Sequence, residues 1–190
     1  AAVAHMPGFV ALVRKGDFLG VVALREGQAR AIAETLPVRW ATPPDLPDLT
    51  DIPGTLRDMP SEKRMLADRG DVDGALARAQ TRLTRSYTWP WNLHGSIGPS
   101  CAVADWQGGR LTIWSGTQNP HMLRGDIAQL MELPETAVEI VRHEAAGCFG
   151  RNCADDVCGD AALLSRAVGR PVRVQLTREQ EQLWEPKGAA

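Results

Sequence analysis

The chain has 190 residues, 44% of them hydrophobic, with 23 acidic and 21 basic side chains and a formal net charge of -2. That apolar fraction supplies one medium domain or two small ones with a sizeable core. The charge balance excludes the concentrated positive surface that nucleic-acid binding requires, and no apolar run approaches the ~20 residues needed for a membrane-spanning helix.

The first residues, Ala1-Ala2-Val3-Ala4-His5-Met6-Pro7, contain no basic region followed by an apolar stretch. No secretory signal is visible, and the compartment, cytoplasmic or periplasmic, stays open. The chain starts in mid-pattern and closes on Gly188-Ala189-Ala190, which suggests a piece of a longer polypeptide. Residues 9–15 and 18–24 read as two apolar strands around a Gly16-Asp17 turn. Residues 26–36 are rich in helix formers and place Ala29, Ile32, Ala33 and Leu36 on one face. Residues 38–40 return as a short strand.

Five prolines then fall between residues 42 and 70, which predicts an extended connector without long helices or central strands. Asp71 can cap a helix through Gln80, with Val72, Ala75, Leu76 and Ala79 on its buried face. A strand is expected at 81–88 and a loop at 89–100. Residues 101–106, the turn Gln107-Gly108-Gly109 and residues 110–115 form the clearest hairpin pattern. Pro120 can open a helix to about Met131. A strand at 137–142, a helix from Asp155 or Asp156 to about Val168 and a strand at 172–176 complete the chain. In that last helix Val157, Ala161, Leu164 and Val168 share a face. The period alternates between 2 and 3.6, so the fold class expected is α/β (α+β), without a repeat of fixed length.

Two loops stand out as sites. Gln118, in Trp114-Ser115-Gly116-Thr117-Gln118-Asn119-Pro120-His121, follows one strand; Gly147-Cys148-Phe149-Gly150-Arg151 follows the next, 29 residues later. Loops at the ends of two strands can converge on one ligand. Gln118 is either an ordinary turn residue before a helix or an amide NH₂ donor to an oxygen of a bound group. The glycine-bracketed loop is either a tight strand–helix turn or a place where backbone N–H groups approach a ligand. It lacks the ending of a P-loop and the spacing of a dinucleotide fingerprint. Asp155-Asp156 fits a helix cap better than an acid–base pair.

Cys148, Cys153 and Cys158 are five residues apart, matching neither a zinc pair nor a ferredoxin run. With Cys101 they are expected to act as small buried hydrophobes. His94, His121 and His143 are scattered singly and read as structural or surface residues. A Cys148–His143 dyad lacks any nameable orienting group. The tryptophans (40, 89, 91, 106, 114 and 184) are expected to supply core and interface mass.

Together, Gly98-Pro99-Ser100-Cys101-Ala102-Val103-Ala104, the run from Trp114 to His121, Gly147 to Arg151, Asp155-Asp156, Ala161-Ala162-Leu163, Gly169-Arg170-Pro171-Val172-Arg173 and Arg178-Glu179 resemble the molybdenum hydroxylases, the xanthine dehydrogenase and aldehyde oxidase family. The forms around Ile97-Gly98-Pro99-Ser100 and Cys148 to Asn152 look most like the bacterial nicotinate and isoquinoline oxidoreductase branch. The resemblance divides the chain into residues 1–50, the trailing part of a small α/β domain, a connector at 51–69, and residues 70–190, the first part of the molybdopterin-binding domain. It implies hydroxylation of a small N-heterocycle or aldehyde with water-derived oxygen. The implied cofactor is molybdopterin cytosine dinucleotide, bound by Gln118, Gly147, Cys148, Phe149, Gly150 and Arg151, with no direct metal ligand from these residues. Gln118 matches the glutamine that bonds an oxo ligand of molybdenum, and Phe149 the aromatic of the glycine turn. The implied partners are an iron–sulfur subunit carrying [2Fe–2S] clusters and a cytochrome or flavin subunit. The family's catalytic glutamate lies downstream and has no counterpart here, and Cys148 stands where the family often has a third glycine. A truncated, non-catalytic module docking onto a partner subunit is the alternative kept.

Overall fold

The structure, a computed structural model, describes residues 2–90, 92–151 and 156–185. The expectations for Trp91, Asn152, Cys153 and Asp155 lie outside the described residues. The described residues divide into two compact units: one joins the stretch up to Arg39 with the stretch after Pro90, and the other is residues 40–90.

In the first unit, β1 (Phe9–Lys15) and β2 (Phe18–Ala23) form the expected antiparallel hairpin, followed by α1 (Glu26–Thr35). Residues 38–40 form no strand, a correction to the sequence reading: the hairpin is a two-stranded sheet, and no neighbouring strand pairs with them. Farther along come β3 (Cys101–Gln107), β4 (Arg110–Ser115), α4 (Pro120–Met131), a short 3₁₀ turn (Glu135–Ala137), β5 (Val138–Arg142), α5 (Asp156–Val168) and β6 (Val172–Gln175). These strands make one mixed sheet in the order β5-β4-β3-β6, with β4 parallel to β5 and the other pairs antiparallel. A seven-residue helix absent from the sequence reading, α6 (Arg178–Trp184), closes the described chain. Thr177 accepts the Gln180 N–H and Gln180 accepts the Thr177 N–H, a reciprocal capping box.

The core follows from the two periodicities. Alternate residues Ala102, Ala104, Leu111 and Ile113 leave one face of the hairpin, while Leu123, Ile127, Ala128 and Met131 of α4 and Val157, Cys158, Ala161 and Ala162 of α5 pack with them. Full burial of each larger side chain contributes about 1.5–3 kcal/mol. A second cluster ties the first hairpin to the sheet through α5: Val22, Leu164 and Val172 pack with Val10, Ala11, Val13, Phe18 and Val168. Gly20 permits that approach, because a Cβ there would lie 2.7 Å from Leu164 Cδ2. Trp106 packs against the core and under the Arg166 guanidinium, whereas Trp184 is exposed.

The second unit is different in kind. It holds α2 (Ile52–Asp58) and α3 (Val72–Arg78), capped by Asp51 and Asp71 through the N–H groups of Gly54 and Gly74. Pro53 sits in the first turn of α2, the helical position that tolerates it. The face of α3 expected to be buried is exposed, at Val72 and Leu76 alike, and residues 81–88 form no strand. The cause is shared: no residue of 40–90 is buried, so nothing within this unit offers either element a partner.

Candidate functional site

Four segments meet at one end of the strands of the mixed sheet. Ser115 pairs with Arg142 in parallel, so the chain leaves β4 and β5 side by side. Ala102 opposes Ser115 and Cys101 opposes Gln175, which brings the entry to β3 and the exit from β6 to the same end. Residues 94–100, 116–119, 143–151 and 176–185 are thereby gathered at the carboxyl end of the parallel pair, the usual ligand-binding position in such sheets.

Local bonds fix the first loop. Thr117 is buried; its Oγ1 accepts the Asn119 N–H at 3.0 Å and its carbonyl accepts Arg142 Nε at 3.0 Å. The next side chain, Gln118, is exposed. Its Oε1 accepts the Gly150 N–H at 3.1 Å and the Cys148 thiol at 2.8 Å. An N–H donor selects the oxygen of an amide, so the turn itself orients Gln118 and sends its NH₂ along the other branch. The two loops singled out in the sequence are thus joined by hydrogen bonds.

The turn is tightly shaped. Gly147, Phe149 and Gly150 all have positive φ, at 90°, 54° and 106°. For Phe149 that conformation costs ~1–2 kcal/mol, yet its ring is 72% exposed and recovers little by burial. A non-glycine residue held this way at an exposed turn is the kind of strain found at functional sites. The Cys148 carbonyl accepts both Ser96 Oγ and the Arg151 N–H at 3.0 Å. Cys148 itself is buried and His143 exposed, so the pair does not present a thiol beside an imidazole at the surface.

Arg151 turns inward. It is 1% exposed and its Nε lies 2.9 Å from Oε1 of Glu181 on α6, itself 2% exposed. The two form a buried ion pair. The Glu181 carboxylate also accepts the Ser100 N–H at 2.9 Å and its hydroxyl at 3.0 Å. Glu185, one turn later, accepts the His94 N–H at 2.8 Å and lies 3.5 Å from Nδ1 of the same ring. Arg178 donates to the carbonyls of Ser96 and Ile97. Sequence reasoning marks His94 only as a structural or surface residue, and does not single out the side chains of Ser96, Ser100, Glu181 and Glu185. The Thr177-Arg178-Glu179-Gln180 box is the available signal for α6.

This donor set, an oriented amide beside a glycine turn, suits an acceptor-rich group such as a pterin with its metal-bound oxygens. Among the described residues no group of three or more His, Cys, Asp or Glu stands together to hold a metal ion directly.

Comparison with known proteins identifies the family. The family model for the molybdopterin cofactor-binding domain matches residues 57–190. The chain is 60% identical over 191 residues to one of the subunits of nicotinate dehydrogenase from Pseudomonas putida, covering all of this chain and 16% of that protein. It is 32% identical over 161 residues to the aldehyde oxidoreductase molybdenum-binding subunit of Escherichia coli K12, covering 83% of this chain and 22% of that one. The chain thus spans less than a quarter of the length of these curated relatives. Its fold is shared with aldehyde oxidoreductase from Desulfovibrio gigas, at a TM-score of 0.80 and 20% identity over 98% of this chain and 26% of that one. Quinoline 2-oxidoreductase from Pseudomonas putida 86 gives 0.71 and 22% over 99% and 28%. The chain belongs to the molybdopterin cofactor-binding domain family of the xanthine dehydrogenase and aldehyde oxidase type.

Proposed function

We propose that this chain forms the first part of the cofactor pocket in the catalytic subunit of a bacterial molybdenum hydroxylase that oxidises a small N-heterocycle or aldehyde with water-derived oxygen. The observation that carries the reading is the hydrogen bond from Gly150 N–H to Gln118 Oε1, which joins the two strand-end loops into one donor surface. The cofactor, molybdopterin in its cytosine dinucleotide form, supplies the redox and oxygen-transfer chemistry when bound. Gln118 orients its amide NH₂ toward a cofactor oxygen. The turn from Gly147 to Gly150 contributes a preorganised backbone, and fixed dipoles of this kind stabilise developing charge without reorganising. Arg151 holds the turn from inside. An iron–sulfur subunit carrying [2Fe–2S] clusters would take up the electrons, with a cytochrome or flavin subunit as acceptor. The division into residues 1–50, 51–69 and 70–190 belongs to the same reading, as does a base supplied by downstream residues. The 60% identity to part of a nicotinate dehydrogenase favours an N-heterocyclic substrate.

Elemental analysis for molybdenum, with release of the nucleotide, tests this on the full gene product that carries the sequence and on residues 1–190 alone. Molybdenum and CMP with the full product but not with residues 1–190 are expected. No molybdenum in either sinks the catalytic reading and leaves docking onto a partner subunit in its place.

A further inference from the structure

Two of the buried polar residues in the molecule, Glu181 and Glu185, occupy one face of α6 and its C-cap, four residues apart. Like charges at that spacing repel, and each buried carboxylate loses its hydration. Helical stability alone does not account for them, because α6 is already capped at Thr177. Each carboxylate instead reaches a different strand of the machinery around Gln118. Glu181 meets Arg151, the residue that ends the glycine turn, and Ser100, which leads into β3. Glu185 binds the backbone of His94 and sits beside its Nδ1. The opposite edge of that imidazole packs on Gly150: a Cβ there would lie 3.3 Å from both Cδ2 and Nε2. Gly150 is the residue whose N–H holds Gln118 Oε1.

We propose that α6 is the positioning element of this site. Glu185 acting through His94, and Glu181 acting through Arg151, press the turn into the one place where the Gly150 N–H meets Gln118. Neither carboxylate touches the cofactor; both act through the turn. This inference rests on the functional reading above, since it assigns the polar scaffold of that same pocket.

The test uses the loaded full gene product and compares Glu185→Gln, His94→Ala and Glu181→Gln with Gln118→Ala, singly and crossed. Each scaffold variant is expected to lower kcat by roughly 10-fold with KM within about 3-fold, and to alter the Mo(V) EPR signal as Gln118→Ala does. Crossed with Gln118→Ala, each should add less than about a 3-fold further loss, because both changes remove one interaction. Amide exchange in residues 144–151 of the cofactor-free protein should rise about 10-fold in Glu185→Gln, a readout independent of turnover. His94→Gln, which restores a side chain of similar reach against Gly150, should recover part of the loss. Additive losses with an unchanged EPR signal overturn the proposal while leaving the functional reading standing. Molybdenum absent from the wild-type protein removes both. Should Glu181→Gln fail to fold, the nearly isosteric Glu185→Gln carries the test.

Discussion

Residues 40–90 and the sheet unit both carry large apolar side chains, yet only one of them has an interior. Leu111 and Ile113 are fully buried in β4, while Leu46, Met65, Leu66 and Leu83 are each more than three-quarters exposed. An apolar side chain is buried only where a partner covers it, and residues 40–90, with proportionally fewer apolar and more charged residues and prolines, supply none. Residues 101–115 fold back on themselves, so every alternate side chain meets α4 or α5. Residues 81–88, expected as a strand, have no second strand to pair with among the described residues, and a lone strand leaves its backbone groups without a ladder. The prolines between 42 and 60 remove donors that could have built one.

The largest expected consequence is in stability. Ile113→Ala should cost the sheet unit about 3–4 kcal/mol in chemical denaturation, as a cavity left in a packed core does. Leu83→Ala should stay within about 0.5 kcal/mol. Equal effects at the two positions would mean that residues 40–90 bury side chains after all. Glu181→Ala belongs with the large effects: it takes the carboxylate away from Arg151, a cation only 1% exposed, and should destabilise by about 3–5 kcal/mol.

The same contrast explains which features are readable from sequence. The β3–β4 hairpin, α4 from Pro120 to Met131 and α5 to Val168 match their expected bounds within a residue or two, because each combines a periodic face with its own start or stop signal. Gln118 and the Gly147–Gly150 loop are recognisable as strand-end loops, and their joining needs only that the two strands be parallel neighbours. The inward turn of Arg151 is not readable. A charged residue after a glycine looks solvent-facing until Glu181, 30 residues away, is known to face it. Helix α3 fails for the opposite reason: its pattern is amphipathic, but an apolar face predicts burial only when something covers it.

An intermediate effect tests the join between the first hairpin and the sheet. Gly20→Ala places a methyl against Leu164 Cδ2, and the packed neighbours of Leu164 limit how far that tip can move. A loss of about 1–2 kcal/mol is expected, and Gly16→Ala in the open turn serves as the comparison for backbone strain without crowding. No difference between wild type and Gly20→Ala would show that the hairpin rides on α5 with room to spare. In limited proteolysis the basic residues Lys63, Arg64, Arg69, Arg82 and Arg85 should be cut about 10-fold faster than Arg166, which donates to the Met131 carbonyl within the packed unit.

The smallest effect is the most local. Lacking a core, residues 40–90 order themselves through short-range acceptors, and Asp48 is the clearest of these. It accepts the Thr50 N–H at 2.9 Å and the Thr50 hydroxyl at 2.7 Å, the backbone bond being the stronger influence, and these hold its carboxyl below the usual carboxylate range. A depressed carboxyl stabilises the folded turn at any pH above its unfolded value, and that contribution disappears as pH falls through the folded one. Acid should therefore loosen the turn from Asp48 to α2, where Thr55 Oγ1 also donates to the Asp48 carbonyl, before it disturbs the sheet. The amide chemical shift of Thr50 followed against pH checks this: it should titrate below an unstructured aspartate in the wild type and lose that step in Asp48→Asn. Titration at the ordinary position would mean that the turn is not held by this carboxylate, and that the order in residues 40–90 comes from outside them.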